Sequence, residues 1–79
     1  MDLTALRKKL CELGIPEDAY SLEGGLPNEQ YCISIDSGTW ITYYSERGCR
    51  TSLTTHNCEA DACHYFLERI ITALKPYNK

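Results

Sequence analysis

The chain has no apolar run close to the roughly 20 residues that a membrane-crossing helix requires, so a bilayer-spanning role is excluded at the outset. It also lacks a basic excess. Eight Lys and Arg stand against 11 Asp and Glu, a formal charge of −3, whereas phosphate binding needs clustered cations whose contacts release counterions. A nucleic-acid partner is therefore not expected, and a mildly acidic surface suits a basic protein partner better. Histidine is scarce, with only His56 and His64, and neither lies in the stretch from Gly24 to Gly48 that is densest in turn and strand formers. That stretch holds no nucleophile paired with a base, which makes it a poor active site. Gly24 and Gly25 are not followed by G-K-[ST], and no three spaced glycines open a helix, so they read as a turn rather than a phosphate cradle. Internal repeats and low-complexity tracts are missing too. The opening residues carry Asp2 and then Arg7, Lys8 and Lys9 within a helical pattern, without the apolar core of about 7 to 15 residues of a secretory signal. A cytoplasmic location is the expectation.

What is present fits one small domain over residues 1–79. A chain of this length buries only about 60 to 65% of the surface its unfolded form exposes, which leaves little room for a deep pocket. Five cysteines, Cys11, Cys32, Cys49, Cys58 and Cys63, are an odd number, so at least one stays unpaired if disulfides form. In a reducing compartment they act mostly as small, weakly polar fillers.

Leu3, Leu6, Leu10 and Leu13 recur at helical spacing and predict a first helix from Leu3 to Leu13, with Asp2 as N-cap. Gly14 is placed for a left-handed C′ residue, Ile15 for the apolar contact back onto Leu10, and Pro16 blocks resumption. Tyr20, Leu22 and Leu26 suggest a short extended piece, with Gly24-Gly25 and Pro27-Asn28 as turns around it. Three strands follow, Gln30 to Asp36, Thr39 to Tyr44 and Cys49 to Thr55. A Ser37-Gly38 hairpin places Ile35 opposite Trp40, Ile33 opposite Thr42 and Tyr31 opposite Tyr44.

For the next connection, a four-residue loop, Ser45 to Gly48, puts Cys49, Thr51 and Leu53 on the face of Ile33 and Trp40. A three-residue loop would put Arg50, Ser52 and Thr54 there, and the hydrophobic pattern favours the first. The closing helix is expected from Cys58 to Leu74, with Asn57 as N-cap, Glu59 and Asp61 in its first turn, a stripe of Cys63, Phe66, Leu67, Ile70, Ile71 and Leu74, and Pro76 as terminator. The expected fold is a two-layer α+β domain: an N-terminal helix, a three-stranded antiparallel meander with Tyr20 to Leu26 as a candidate fourth strand, and a C-terminal helix. Both helices are expected on one sheet face, with the other open to water or a partner.

His56, Cys58, Cys63 and His64 resemble a zinc set in composition, but residues 58 and 63 leave a helix about 140° apart and Cys63 belongs to the apolar stripe. Cys63 and His64 diverge by about 100°, which is unsuited to a nucleophile and its base. Neither metal, cofactor nor catalysis is expected. Ile41 and Tyr43 are sharper candidates, because this register projects them from the open face beside Arg50, with Glu46 and Arg47 at the hairpin tip. Aromatic and arginine side chains dominate interface energetics. The plain alternative is that the Tyr20 to Leu26 segment covers Tyr43. The acidic set Glu17, Asp18, Glu23 and Glu29 is either a steering surface or a solvated loop.

Several blocks fall in a particular order: Gly14-Ile15-Pro16, Tyr20-Ser21-Leu22, Gly25 through Glu29 with Tyr31 and Cys32, Trp40 with Tyr43 through Gly48, then Cys63, Tyr65 and Phe66. In that order and spacing the chain resembles small bacterial immunity proteins of polymorphic-toxin and contact-dependent growth inhibition systems. The resemblance implies a non-enzymatic protein that binds the C-terminal domain of a cognate toxin, typically a nuclease, and prevents self-intoxication. On that reading Tyr43 and Arg50 anchor the contact, Glu23, Glu29 and Glu46 supply electrostatic complementarity, and Ile41 and Arg47 complete the toxin-binding set. The alternative is a regulatory or scaffolding module that binds a host protein, or a second copy of itself, through the open sheet face or an edge.

Overall fold

The computed structural model describes residues 1–74 and shows an α+β fold with two helices and a four-stranded mixed sheet. Helix α1 spans Leu3–Glu12, a 3-10 turn spans Glu17–Ala19, and strand β1 is the pair Tyr20–Ser21. Strands β2 (Gln30–Asp36), β3 (Thr39–Glu46) and β4 (Cys49–His56) precede helix α2 (Glu59–Leu74). Pro76, the expected terminator of α2, lies outside the described residues. Among those residues no helix is long and apolar enough to cross a membrane.

Helix α1 begins and ends as its local chemistry dictates. The Asp2 carboxylate accepts from the Ala5 N–H at 2.9 Å, satisfying one of the donors that a helix start leaves orphaned. Gly14 takes φ +77°, the Gly14 N–H bonds the Cys11 carbonyl, and the Ile15 N–H bonds the Leu10 carbonyl, which completes a Schellman stop. A bond from the Leu3 N–H to the Glu59 carboxylate, 2.9 Å, joins the start of α1 to the first turn of α2. Helix α2 starts at Glu59, later than an Asn57 cap would place it, and the Cys58 carbonyl accepts its first bond, from the Ala62 N–H.

Helix α2 packs against β2, β3 and β4 and against α1. Leu6 and Leu10 of α1, Cys63, Phe66 and Ile70 of α2, and Ile33 of β2 share one core, joined by Ile15, Tyr20 and Leu22. The β2–β3 register places Ile35 opposite Trp40, Ile33 opposite Thr42 and Tyr31 opposite Tyr44, as the Ser37-Gly38 hairpin requires.

The sheet departs from the expected antiparallel meander on the β1 side. Tyr20 and Ser21 pair in parallel with Tyr31 and Cys32, so the chain must travel back along the sheet before β2 begins. Residues 22–29 make that return as a strap across the sheet face opposite the helices. Its contacts are close: a Cβ built on Gly24, at φ +76°, would lie 2.7 Å from Ser34 Oγ and 2.9 Å from its Cβ. The face expected to be open is therefore covered.

The β3–β4 connection also differs from the four-residue loop. Strand pairing continues to Glu46 opposite Cys49, and the turn is Arg47-Gly48 with both φ values positive, 53° and 76°. Such a two-residue turn matches the right-handed twist of its strands. A bulge follows, with Ser52 at φ 57°, between the pairs Tyr44–Thr51 and Thr42–Thr54. Cys49 and Thr51 keep their expected face, but beyond the bulge Thr54 and His56 take the core side and Leu53 leaves it, 48% exposed. Ile35, also expected in the core, is 54% exposed.

Replacing Gly24 by Ala should destabilise the fold by about 2–4 kcal/mol, combining a left-handed backbone with overpacking against Ser34. Gly25, with open space around its Cβ position apart from Pro27 at 3.9 Å, should lose only the backbone part on the same change, about 1–2 kcal/mol. Urea unfolding of both variants checks this, and equal losses would show that the strap is not in close contact with β2.

Candidate functional site

The second sheet face is a small core in its own right, formed by Cys32, Ile41 and Tyr43. Tyr43 is 3% exposed, and its hydroxyl donates a 2.6 Å bond to the Gly25 carbonyl of the strap. The Arg50 guanidinium lies 4.7 Å from the centre of the Tyr43 ring. Burial raises the pKa values of both Tyr43 and the Cys32 thiol. The expectation that Ile41 and Tyr43 project into solvent is thus corrected: three apolar side chains needed cover, and two glycines let the strap backbone supply it. Arg50 stays exposed, capping that cover.

The remaining predicted residues divide between two places. Glu23 is exposed in the turn closed by the Ser21 hydroxyl, which donates to the Gly24 carbonyl at 2.9 Å and accepts from the Glu23 N–H at 3.3 Å. There it borders a 240 Å³ cavity with Arg7, Glu17 and Tyr20, away from the other candidates. Glu29, Glu46 and Arg47 come together at the opposite end of the strap. The Arg47 N–H donates to the Asn28 side-chain oxygen at 3.1 Å, docking the strap on the β3–β4 turn. Glu29, at φ 58°, then turns the chain into β2.

Tyr44 lies at this junction on the helix side of the sheet. Burial raises the pKa of its hydroxyl, and the negative charges of Glu46 and then Glu29 raise it further. Its ring centre is 4.7 Å from that of its cross-strand neighbour Tyr31, tilted by 55°, within the range of favourable aromatic pairing. Both rings are half-buried. Tyr31 is also one wall of a 380 Å³ groove whose other wall is α2, through Tyr65, Glu68, Arg69, Thr72 and Ala73. Tyr65 is held by His56, ring centres 4.9 Å apart, and by a bond from the Thr54 hydroxyl at 3.4 Å.

Sequence reasoning placed Tyr31 and Tyr44 correctly on the core face and so passed over them as interface residues; it gave Tyr65 and Arg69 no role at all. The available signal was spacing. Tyr65, Arg69 and Thr72 recur at three- and four-residue intervals beside the apolar stripe of α2, and the register sets Tyr31 against Tyr44.

The four residues weighed as a zinc set do not converge. His56 Nε2 lies 2.9 Å from the Thr42 hydroxyl, and Cys63 is wholly buried, its thiol pushed up to about 11 chiefly by desolvation. Cys58 and His64 are exposed, and among the described residues no group of three or more side chains is arranged to hold a metal. All five thiols are free, Cys32 and Cys63 buried and the other three exposed.

The chain matches no protein-family model, no curated protein and no solved structure. What its surface offers at the Tyr31–Tyr44 end is recognition chemistry: flat aromatic faces, flanking carboxylates and one guanidinium.

His56 gives a pH test of this framework. Desolvation lowers its pKa from 6.5, with Asp61 partly offsetting the shift, so the folded chain favours the neutral ring. The unfolded chain takes up the proton first as pH falls below 6.5, so the His56 contribution is complete above that value and is lost on acidification until the folded pKa is passed. Unfolding free energies of the native chain and of His56→Gln at pH 7.5 and pH 5 should show a larger acid loss in the native chain.

Proposed function

We propose that this chain is an immunity protein, which binds a cognate toxin domain and neutralises it by occupying its surface, without catalysis. The observation that carries the reading is the half-buried Tyr31–Tyr44 pair with Glu29 and Glu46 beside it. Tyrosine supplies large contact area with few rotatable bonds and is enriched where binding energy concentrates. Carboxylates around such an anchor speed encounter with a basic partner, and a nuclease domain is the partner class that suits them best. An interface of about 800 Å² per partner suffices for tight inhibition, which one end of a small sheet with its flanking helix can provide. The biological role is drawn from the resemblance in motif order to immunity proteins. In this reading Glu29 and Glu46 lie within the contact and Tyr31, Tyr44, Tyr65 and Arg69 anchor it. Arg47 and Arg50 lie at its periphery, Glu23 stands apart at the other end of the strap and acts only through its charge, and Ile41 and Tyr43 act from beneath by fixing the strap.

A second reading, a regulatory or scaffolding module, is favoured by β4. This edge strand is exposed along nearly all of Cys49–His56 and presents Leu53 outward. An exposed edge is a template for another strand, although the Ser52 bulge interrupts its regular bonding pattern.

Where a toxin domain is encoded beside this chain, co-expression of the two should restore cell survival and yield a complex that survives pull-down. Growth arrest with no complex would remove the immunity role for that toxin and bring the β4-edge module forward. Reversing Glu23, Glu29 and Glu46 to Lys together should slow association at low salt by about tenfold or more, an effect that fades as salt screens it. An unchanged association rate would eliminate the electrostatic part of the proposal.

A further inference from the structure

The two sheet faces treat tyrosine differently. On the strap side the chain lays its own guanidinium, from Arg50, against Tyr43. On the helix side, among the described residues, no cation lies over Tyr31 or Tyr44, although both rings are partly exposed. The strand register puts carboxylates beside the pair: Glu46 follows Tyr44 by two residues on the same face of β3, and Glu29 precedes Gln30, which pairs with Ser45. Glu68 adds a third carboxylate along the groove, where Arg69 of the helix wall is the cation among the described residues.

We infer that the Tyr31–Tyr44 platform is a receptor for a guanidinium group, taking an arginine side chain of a protein partner over its ring faces between Glu29 and Glu46. The inference rests on the reading of this chain as a protein-binding module and names the chemistry its partner must present. Arginine fits better than lysine. Its planar, weakly hydrated head stacks on aromatic rings and can meet a carboxylate through two parallel bonds, whereas an ammonium holds its water more strongly. An anionic ligand would face repulsion from Glu29 and Glu46 at the same spot.

The test needs no toxin. Chain with labelled aromatic side chains is titrated by NMR with the capped tripeptide Gly-Arg-Gly, and in parallel with its citrulline analogue, which keeps the shape and removes the charge. The expected result is saturable movement of the Tyr31 and Tyr44 ring signals. The arginine side-chain protons should shift upfield in the ring current, and binding should be about threefold or more tighter for arginine than for citrulline. Glu46→Gln, a surface change that leaves the core intact, should weaken arginine binding about twofold or more, and Tyr44→Leu should abolish the ring-current shift.

Equal binding of the two peptides, or no saturable movement at these rings, would overturn the inference, as would shifts that persist unchanged in Tyr44→Leu. Failure of the native chain to bind the toxin bears on the neutralising role alone, since the peptide titration decides the guanidinium site independently.

Discussion

The bond from the Tyr43 hydroxyl to the Gly25 carbonyl is the constraint on which the arrangement turns. A two-residue strand pairing in parallel with β2 obliges the chain to double back, and the return path crosses a sheet face whose inner positions are Cys32, Ile41 and Tyr43. Anchoring the path there shields those three side chains and gives the buried hydroxyl a partner, a group that would otherwise be expensive to remove from water. The anchor also delivers residues 28 and 29 to the β3–β4 turn, where Asn28 meets the Arg47 backbone. Glu29 consequently sits close enough to Tyr44 for its charge to be felt there. The cover of one face thus arranges the chemistry of the other.

The uneven coverage of the helix-side face follows from length and composition. The apolar stripe of α2 settles on Ile33 and the leucines of α1, and two short helices cannot also blanket the end of the sheet where β3 and β4 turn. Polar partners hold the α2 flank instead: His56 on Thr42, and Tyr65 on His56 and Thr54. The tyrosines left beyond that flank have apolar bodies and polar tips, a combination that tolerates water and still offers contact area.

The legibility of the sequence differed sharply between local and distant relations. The Asp2 cap, the Gly14-Ile15 stop and the Ser37-Gly38 hairpin could be read because each depends on a few adjacent residues with defined backbone preferences. The β2–β3 register followed from the hairpin, since turn length fixes every later pair. In β4 the faces were read correctly only up to Thr51, and the pairing was not, because the turn takes two residues rather than four. A serine gives no sign that it will adopt a left-handed backbone, and the bulge at Ser52 exchanges the faces of Leu53 and Thr54. The parallel pairing of β1 was hidden for a related reason, since two residues carry too little periodicity to announce a strand, let alone its direction.

The candidate site shows the same division. Glu29 and Glu46 were identifiable as charged residues near turns, but their meeting around Tyr44 depends on the docking of the strap. Ile41 and Tyr43 were placed on the correct face, yet the path of residues 22–29 buried them. The helices, the hairpin register and the pairing of Tyr31 with Tyr44 were legible in the residues alone, because hydrogen-bond geometry and side-chain period act over neighbouring residues. Only the tertiary structure decided which face stayed accessible, because burial is settled by what packs from elsewhere in the chain, and two glycines allowed the strap to cover one face while α2 left the other partly bare.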